Sequence, residues 1–239
     1  WCGKTVSVVH DVAIYEHPEW FPVSSVENFT TKWIVPRALS RATSIVVVSE
    51  ETKKVLARVF PFLRQPIFVV GQGVEFQEFY GPISGVEEFV LFLGTIEPRK
   101  NIETACRAFD LFLQAHPEKA KCLKLIIAGM EGWKTESIHE AIRVVNQRWE
   151  EMTGEDVVRV VGRVSEREKW FLLRHAQAFL FPSLDEGFGR PVLEAMAAGA
   201  PVVCSNAGAL PEIVGDAALL ANPRDAETFA LLLSQCLLM

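Results

Sequence analysis

The stretch DEGFGRPVLEAMAAGAP, Asp185 to Pro201, places Glu186 and Glu194 on either side of Gly187, Gly189 and Pro191. Proline suits the first turn of a helix, where a missing N–H costs nothing. A helix starting near Arg190 carries Glu194 about 6 Å along its axis, at about 1.5 Å per residue. The two glycines let the backbone approach a ligand closely, and the unpaired amides of a helix entrance attract an anion, phosphate above all. A carboxylate beside a phosphate repels it unless it serves another part of the same ligand. Carboxylates accept hydrogen bonds from hydroxyls, and sugars supply hydroxyls in adjacent pairs. Two glutamates bracketing a diphosphate therefore describe a ligand with a ribose at one end and a second sugar at the other, a nucleotide-sugar. On this stretch alone a plainer reading stays open, with Glu186 an ordinary loop residue and Glu194 a dipole partner worth about 0.3 to 1 kcal/mol.

A second stretch, FLGTIEPRKN from Phe92 to Asn101, follows a strand pattern and ends where a helix begins at Asn101. In an open parallel sheet, ligands bind beyond the carboxyl ends of the strands. Arg99 and Lys100 stand on that rim, where two cations can neutralise a departing diphosphate. Adjacent basic residues in a loop are more often simply solvated; the rim position favours the chemical reading.

Both stretches need a sheet to hold them. Short β-branched runs alternate with longer amphipathic stretches, which predicts an α/β fold of βα units with a parallel sheet. The expected strands are Thr5 to His10, Ser44 to Val48 and Ile67 to Val70, then Phe89 to Leu93, Leu123 to Ala128, Val157 to Val161, Ala178 to Phe181, Val202 to Cys204 and Ala218 to Leu220. Ser165 with Glu168 has capping-box spacing, Ser49 precedes an acidic first turn, and Asp225 can cap the last helix. GQGVEFQEFYGPISG, Gly71 to Gly85, reads as a hinge, dividing the chain into residues 1–82 and 83–239. Three strands are too few for a complete first sheet. That, the opening WCGKTVSVVH and the close within a helical pattern, LLLSQCLLM, set the expectation of a fragment whose missing strands lie upstream.

Composition excludes several classes. The net charge is −6, with eight basic against eight acidic residues up to Pro82, so neither part has the basic excess of a nucleic-acid binder. Cys2, Cys106, Cys122, Cys204 and Cys236 are widely spaced, without a CxxC pair, and read as buried thiols of a reducing compartment, hence a cytoplasmic location. No apolar run approaches the roughly 20 residues of a membrane span, which leaves peripheral contact with a membrane open. No DxD or metal-ligand cluster appears, so neither a metal nor a cofactor is expected. No GxGxxG opens a βαβ unit, which removes support for a nicotinamide dehydrogenase.

The segments VVHDVAIYEHPEWF, RATSIVVVSEETKK, GQGVEF, FLGTIEPRKNIETACRAF, LIIAG, VVRVVGRVSEREKWFLLRHAQAFLFPSLDEGFGRPVLEAMAAGAPVVCSN and GALPEIVGDAALLANP together resemble the retaining glycosyltransferases of family 4. These have the GT-B architecture of two facing Rossmann-like domains. The resemblance covers almost the whole chain and rests on the E-x7-E pair, the EPRKN loop and the PEIVGDAALL tail in the family's order. It implies that Glu186 contacts the donor sugar, Glu194 the ribose, and the amides of Gly187, Phe188 and Gly189 the sugar and phosphate. Lys100, helped by Arg99, would hold the diphosphate beside Gly94 and Thr95. His10 would reach the donor sugar from the other domain, though a satisfied strand-end histidine is the alternative. Arg163 and Val164 would pass the base. Many relatives carry a basic residue where this chain has Thr95, so Arg99 is expected to substitute.

The resemblance further implies hexose transfer from a nucleotide-sugar to a glycan or lipid-linked acceptor, with retention and no required metal. Double displacement needs a carboxylate nucleophile at the sugar; none is evident on the donor face, which favours front-face attack. The EPRKN variant is most similar to relatives using GDP-mannose in polysaccharide assembly. The fragment by itself is expected to be inactive. A non-catalytic nucleotide-binding module using the same rim is the rival reading.

Overall fold

The computed structural model describes residues 3–24, 29–75 and 87–238. Two parallel sheets form. The smaller has three strands, β1 (Val6–Val9), β2 (Ser44–Val47) and β3 (Ile67–Val69), in that order. The larger contains β4 (Glu88–Leu93), β5 (Leu123–Ala128), β6 (Val158–Gly162), β7 (Ala178–Phe181), β8 (Val202–Ser205) and β9 (Leu219–Ala221). Each strand lies within two residues of its expected limits. The helices are α1 (Ala13–Glu16), α2 (Val35–Arg41), α3 (Glu50–Val59), α4 (Ile102–Ala115), α5 (Glu136–Thr153), α6 (Glu166–His175), α7 (Arg190–Ala198), α8 (Leu210–Val214) and α9 (Ala226–Leu237).

Their starts follow local chemistry. Ser165 and Glu168 close a reciprocal capping box on α6, Ser49 accepts from the Thr52 amide at the start of α3, and Asp225 accepts from the Thr228 amide on α9. Pro191 sits in the first turn of α7, and Gly199, with φ 80°, ends that helix in the left-handed conformation.

The order of the larger sheet, β6-β5-β4-β7-β8-β9, positions the site. The chain enters at the centre with β4, winds outward to β6, returns beside β4 as β7 and winds outward the other way. Between β4 and β7 the connections diverge, and in open parallel sheets this switch point is where a ligand crevice lies, at the carboxyl ends. Phe92 and Phe181, on that pair of strands, are fully buried with ring centroids 5.7 Å apart.

The smaller sheet is covered on one face, where Ile45 and Val47 pack with Leu39, Leu56 and Phe60. On its other face Val6 (61%), Val8 (56%) and Phe68 (55%) are exposed, unlike the interior of a parallel sheet wrapped on both sides. Of the hinge expected over Gly71 to Gly85, residues 76–85 lie outside the described residues, and with them the division after Pro82.

One sequence expectation is corrected. Cys106 and Cys204 are buried, with thiols pushed up to about 12 by burial. Cys122, however, is exposed and Cys236 half-buried, and Cys2 lies outside the described residues. Cys122 follows a short 3-10 turn, Pro117–Lys121, and precedes β5, so it never enters the covered part of the strand.

Candidate functional site

The loop after β4 forms a 3-10 turn, Pro98–Lys100, leading into α4. The loop after β7 carries Ser183, Asp185 and Glu186 into α7. The order of the strands therefore brings Lys100 and Glu186 together. Lys100 Nζ lies 2.5 Å from Glu186 Oε1, and both residues are buried, 8% and 7% exposed. Ser183 donates to the same oxygen at 2.8 Å, and Arg99 Nη1 stands 3.9 Å from Glu186 Oε2. Lys100 Nζ also rests 5.3 Å above the Phe181 ring centroid. Burial by itself pushes the Glu186 carboxyl upward, but Lys100, Arg99 and Ser183 outweigh it and hold the group below its ordinary value.

Arg99 is shared among three carboxylates: Glu97 at 3.2 Å, Asp11 at 3.5 Å and Glu186. Desolvation opposes its charge, and these acids, Glu186 foremost, more than compensate and raise its pKa. Asp185 is pushed up to about 6, first by burial and then by the adjacent Glu186, with Arg99 opposing. The crevice is thus a charged cluster whose two cations already have carboxylate partners, where the sequence pointed to separate tasks for Lys100 and Glu186.

Glu194, 5% exposed on α7, is held through Oε1 by Lys169 Nζ at 3.0 Å and Arg190 Nε at 3.3 Å. Gly94 and Thr95 line the start of the β4 loop, with Lys100 Cε 3.7 Å from where a Gly94 Cβ would stand. Arg163 is exposed and Val164 half-buried in the loop after β6. That loop is two strands out from β4, about 10 Å at the usual strand spacing, so the structure keeps this pair apart from Lys100 and Glu186.

His10 and Asp11 follow β1 and bring the smaller sheet against Gly187 and Arg99. A Cβ on Gly187 would stand 2.1 Å from the His10 carbonyl oxygen, and Gly189, at φ 91°, would clash with Leu210 at 2.3 Å. The glycines expected to admit a ligand thus also admit protein: Gly187 is pressed against His10, and Gly189 against α8. The Phe188 ring is buried and stands 3.7 Å from a Cβ position at Gly71. The joint continues where Ser49 Oγ and Thr52 Oγ1 donate to the Gly187 carbonyl at 2.7 and 3.0 Å. Glu212 on α8 accepts from the Glu50 and Glu51 amides at the start of α3. Further along, the Trp133 indole donates to the Trp20 carbonyl at 2.7 Å.

Several participants were not singled out from sequence: Asp11, Ser183, Lys169, and Gln72, whose amide nitrogen lies 3.0 Å from His10 Nδ1. Asn101 was read only as a helix start. Among the described residues no group of three or more His, Cys, Asp or Glu side chains is arranged to hold a metal ion, and no helix is long and apolar enough to cross a membrane.

The site thus combines a sheet switch point, a buried cation–carboxylate pair and loops of the second sheet packed beside it. Residues 74–239 match the family model for glycosyl transferases group 1, and the chain belongs to that family. It is 32% identical to O-antigen chain mannosyltransferase B of Escherichia coli, over 95% of this chain and 59% of that protein. O-antigen chain mannosyltransferase RfbU of Salmonella typhimurium is 24% identical over the same shares. The chain therefore spans about 59% of the length of these relatives. Among solved structures, sucrose-phosphate synthase from Thermosynechococcus elongatus superposes with a TM-score of 0.74 at 22% identity, over 98% of this chain and 58% of that one. A UDP-forming α,α-trehalose-phosphate synthase from Burkholderia vietnamiensis gives 0.77 at 14% identity, over 99% and 60%. The fold is the GT-B type.

Proposed function

We propose that this chain is the donor-binding part of a hexosyltransferase of the retaining family 4 kind, and that GDP-mannose is its donor. The observation that carries the reading is the Lys100–Glu186 pair at the β4/β7 switch point with Arg99 beside it. On this reading the donor diphosphate replaces Glu186 as the partner of Lys100 and Arg99. Glu186, released, accepts hydrogen bonds from the donor sugar. Glu194 keeps one carboxylate oxygen on Lys169 and Arg190 and offers the other to the ribose hydroxyls, and Arg163 and Val164 flank the base. If His10 Nδ1 accepts from Gln72, its Nε2–H is left to donate to the sugar.

As the anomeric bond breaks, negative charge grows on the diphosphate, and Lys100, Arg99 and the amides entering α7 stabilise it in a site largely closed to water. The departing phosphate oxygen takes the proton of the acceptor hydroxyl on the same face of the sugar, which yields retention. The likeness to two O-antigen mannosyltransferases supports mannose as the sugar and a growing glycan as the acceptor. The same reading puts the reaction on the cytoplasmic side and needs no metal ion.

The test is a transfer assay on the full-length protein with a panel of GDP-, UDP- and ADP-sugars. GDP-mannose is expected to be consumed, with the α-anomeric configuration kept in the product and turnover abolished in Glu186→Ala. Tight binding of nucleoside diphosphate without any sugar transfer would instead assign a binding module.

A further inference from the structure

Asn101 joins three loops of the rim through one side chain. It is 7% exposed, with φ 55° and ψ 43°, in the left-handed region. Its amide gives one hydrogen to the Pro182 carbonyl at 2.9 Å and the other to the Pro223 carbonyl at 2.6 Å. Its Oδ1 accepts from Thr104 Oγ1 at 2.8 Å. Pro182 follows β7 and directly precedes Ser183, in the loop that ends at Glu186. Pro223 lies between β9 and α9. Asn101 itself directly follows Lys100.

Two demands meet at this position. The backbone needs a residue tolerated at positive φ, which favours Gly, Asn and Asp. The surroundings need two donors and an acceptor, and of these three residues Asn alone supplies them. Glycine keeps the backbone and loses all three hydrogen bonds. Aspartate sets a carboxylate oxygen against two carbonyl oxygens.

The effect is register. The Leu184 amide donates to the Arg99 carbonyl at 2.8 Å, and the Asn101 amide closes the same pair of loops on the other side of Lys100. Between these two ties the Lys100 side chain has a fixed origin from which to meet Glu186. We propose that Asn101 is a positioning residue, which through the Pro182 and Pro223 carbonyls holds Lys100 and Arg99 in register with Glu186 without touching substrate. Its consequence for donor binding rests on the function proposed above; its consequence for the Lys100–Glu186 pair does not.

The experiment separates the two. Lys100→Met, Glu186→Gln and the double variant are compared by denaturant unfolding in the wild-type and Asn101→Gly backgrounds, a cycle that isolates their coupling. The coupling is expected to be at least about tenfold in the unfolding constant in the wild type and to fall to near unity with Asn101→Gly. GDP, titrated calorimetrically, is expected to bind Asn101→Gly about tenfold more weakly than wild type. If Asn101→Gly does not fold, Asn101→Ser, with a single donor, carries the same comparison. A coupling unchanged by the substitution overturns the proposal, since a residue that merely stabilises the domain lowers all four unfolding constants alike. A wild type that fails to bind GDP overturns the functional reading, while the coupling still decides the role of Asn101.

Discussion

Lys100 Nζ and Glu186 Oε1 lie 2.5 Å apart although 86 positions separate them in sequence. The contact exists because β4 and β7 are neighbours at the centre of the sheet, and the loop following each turns into the same crevice. In the free protein each group neutralises the other. On the proposed function, an arriving diphosphate would give Lys100 a doubly charged partner and free Glu186 to accept from hydroxyls, so that one pair would serve both the folded state and the donor.

Breaking the pair from one side leaves a buried charge. Lys100→Met or Glu186→Gln is expected to cost about 3 kcal/mol, near the lower end for buried pairs, and the double variant less than the sum. Equilibrium denaturation measures this. Additive losses would mean that the two groups do not depend on each other.

The two adjacent acids at 185 and 186 respond to pH with opposite sign. Asp185 has its folded value raised from 3.8 to about 6, so its contribution is present below the unfolded value and is lost as pH rises through about 6. Relative to Asp185→Asn, the wild type is expected to lose about 2 kcal/mol between pH 4 and 6, allowing for solvent screening. Glu186 has its folded value lowered, so its contribution is present above the ordinary 4.5 and is lost as pH falls through the folded value. Denaturant titrations across this range, with each variant, resolve the two slopes; a wild type parallel to Asp185→Asn would contradict the assignment.

At Gly187 the loops of the two sheets meet closely. A methyl group there would enter the space of the His10 carbonyl, 2.1 Å away. Gly187→Ala is expected to lower stability by about 1 to 3 kcal/mol through overpacking and to loosen the hydrogen bonds from Ser49 and Thr52. Thermal melting and small-angle scattering test this, and an unchanged melting temperature with an unchanged radius would mean that the joint does not depend on this contact.

Much of the fold was readable because it is local. Apolar runs such as Phe89–Leu93 and Ala178–Phe181 mark buried parallel strands, and Ser165 with Glu168 three residues on announces a helix start. The site was readable as residue types, since Glu186, Glu194, Arg99 and Lys100 stand in loops whose place follows from strand and helix periodicity. Partners were not. Asp11, Ser183 and Lys169 are ordinary polar residues until topology brings Asp11 to Arg99, Ser183 to Glu186 and Lys169 to Glu194. The mutual neutralisation of Lys100 and Glu186 was hidden for the same reason, because strand order is a property of the whole sheet.

The roles given to the two glutamates can be separated. Glu194→Ala is expected to weaken GDP binding about tenfold, as for a lost hydrogen bond to a charged group, while leaving inorganic pyrophosphate binding unchanged. Paired calorimetric titrations read the difference. Equal losses for both ligands would mean that Glu194 acts by holding Lys169 and Arg190 in place and not through the ribose.

The central claim is that the turn bearing Arg99 and Lys100 grips a donor diphosphate at the β4/β7 crevice. Its most direct measurement is calorimetric titration of GDP into the wild-type protein and into Lys100→Ala. The wild type is predicted to bind and the variant to bind about ten- to a hundredfold more weakly, the loss for one or two charge-assisted hydrogen bonds. Equal affinity in the two proteins would contradict it.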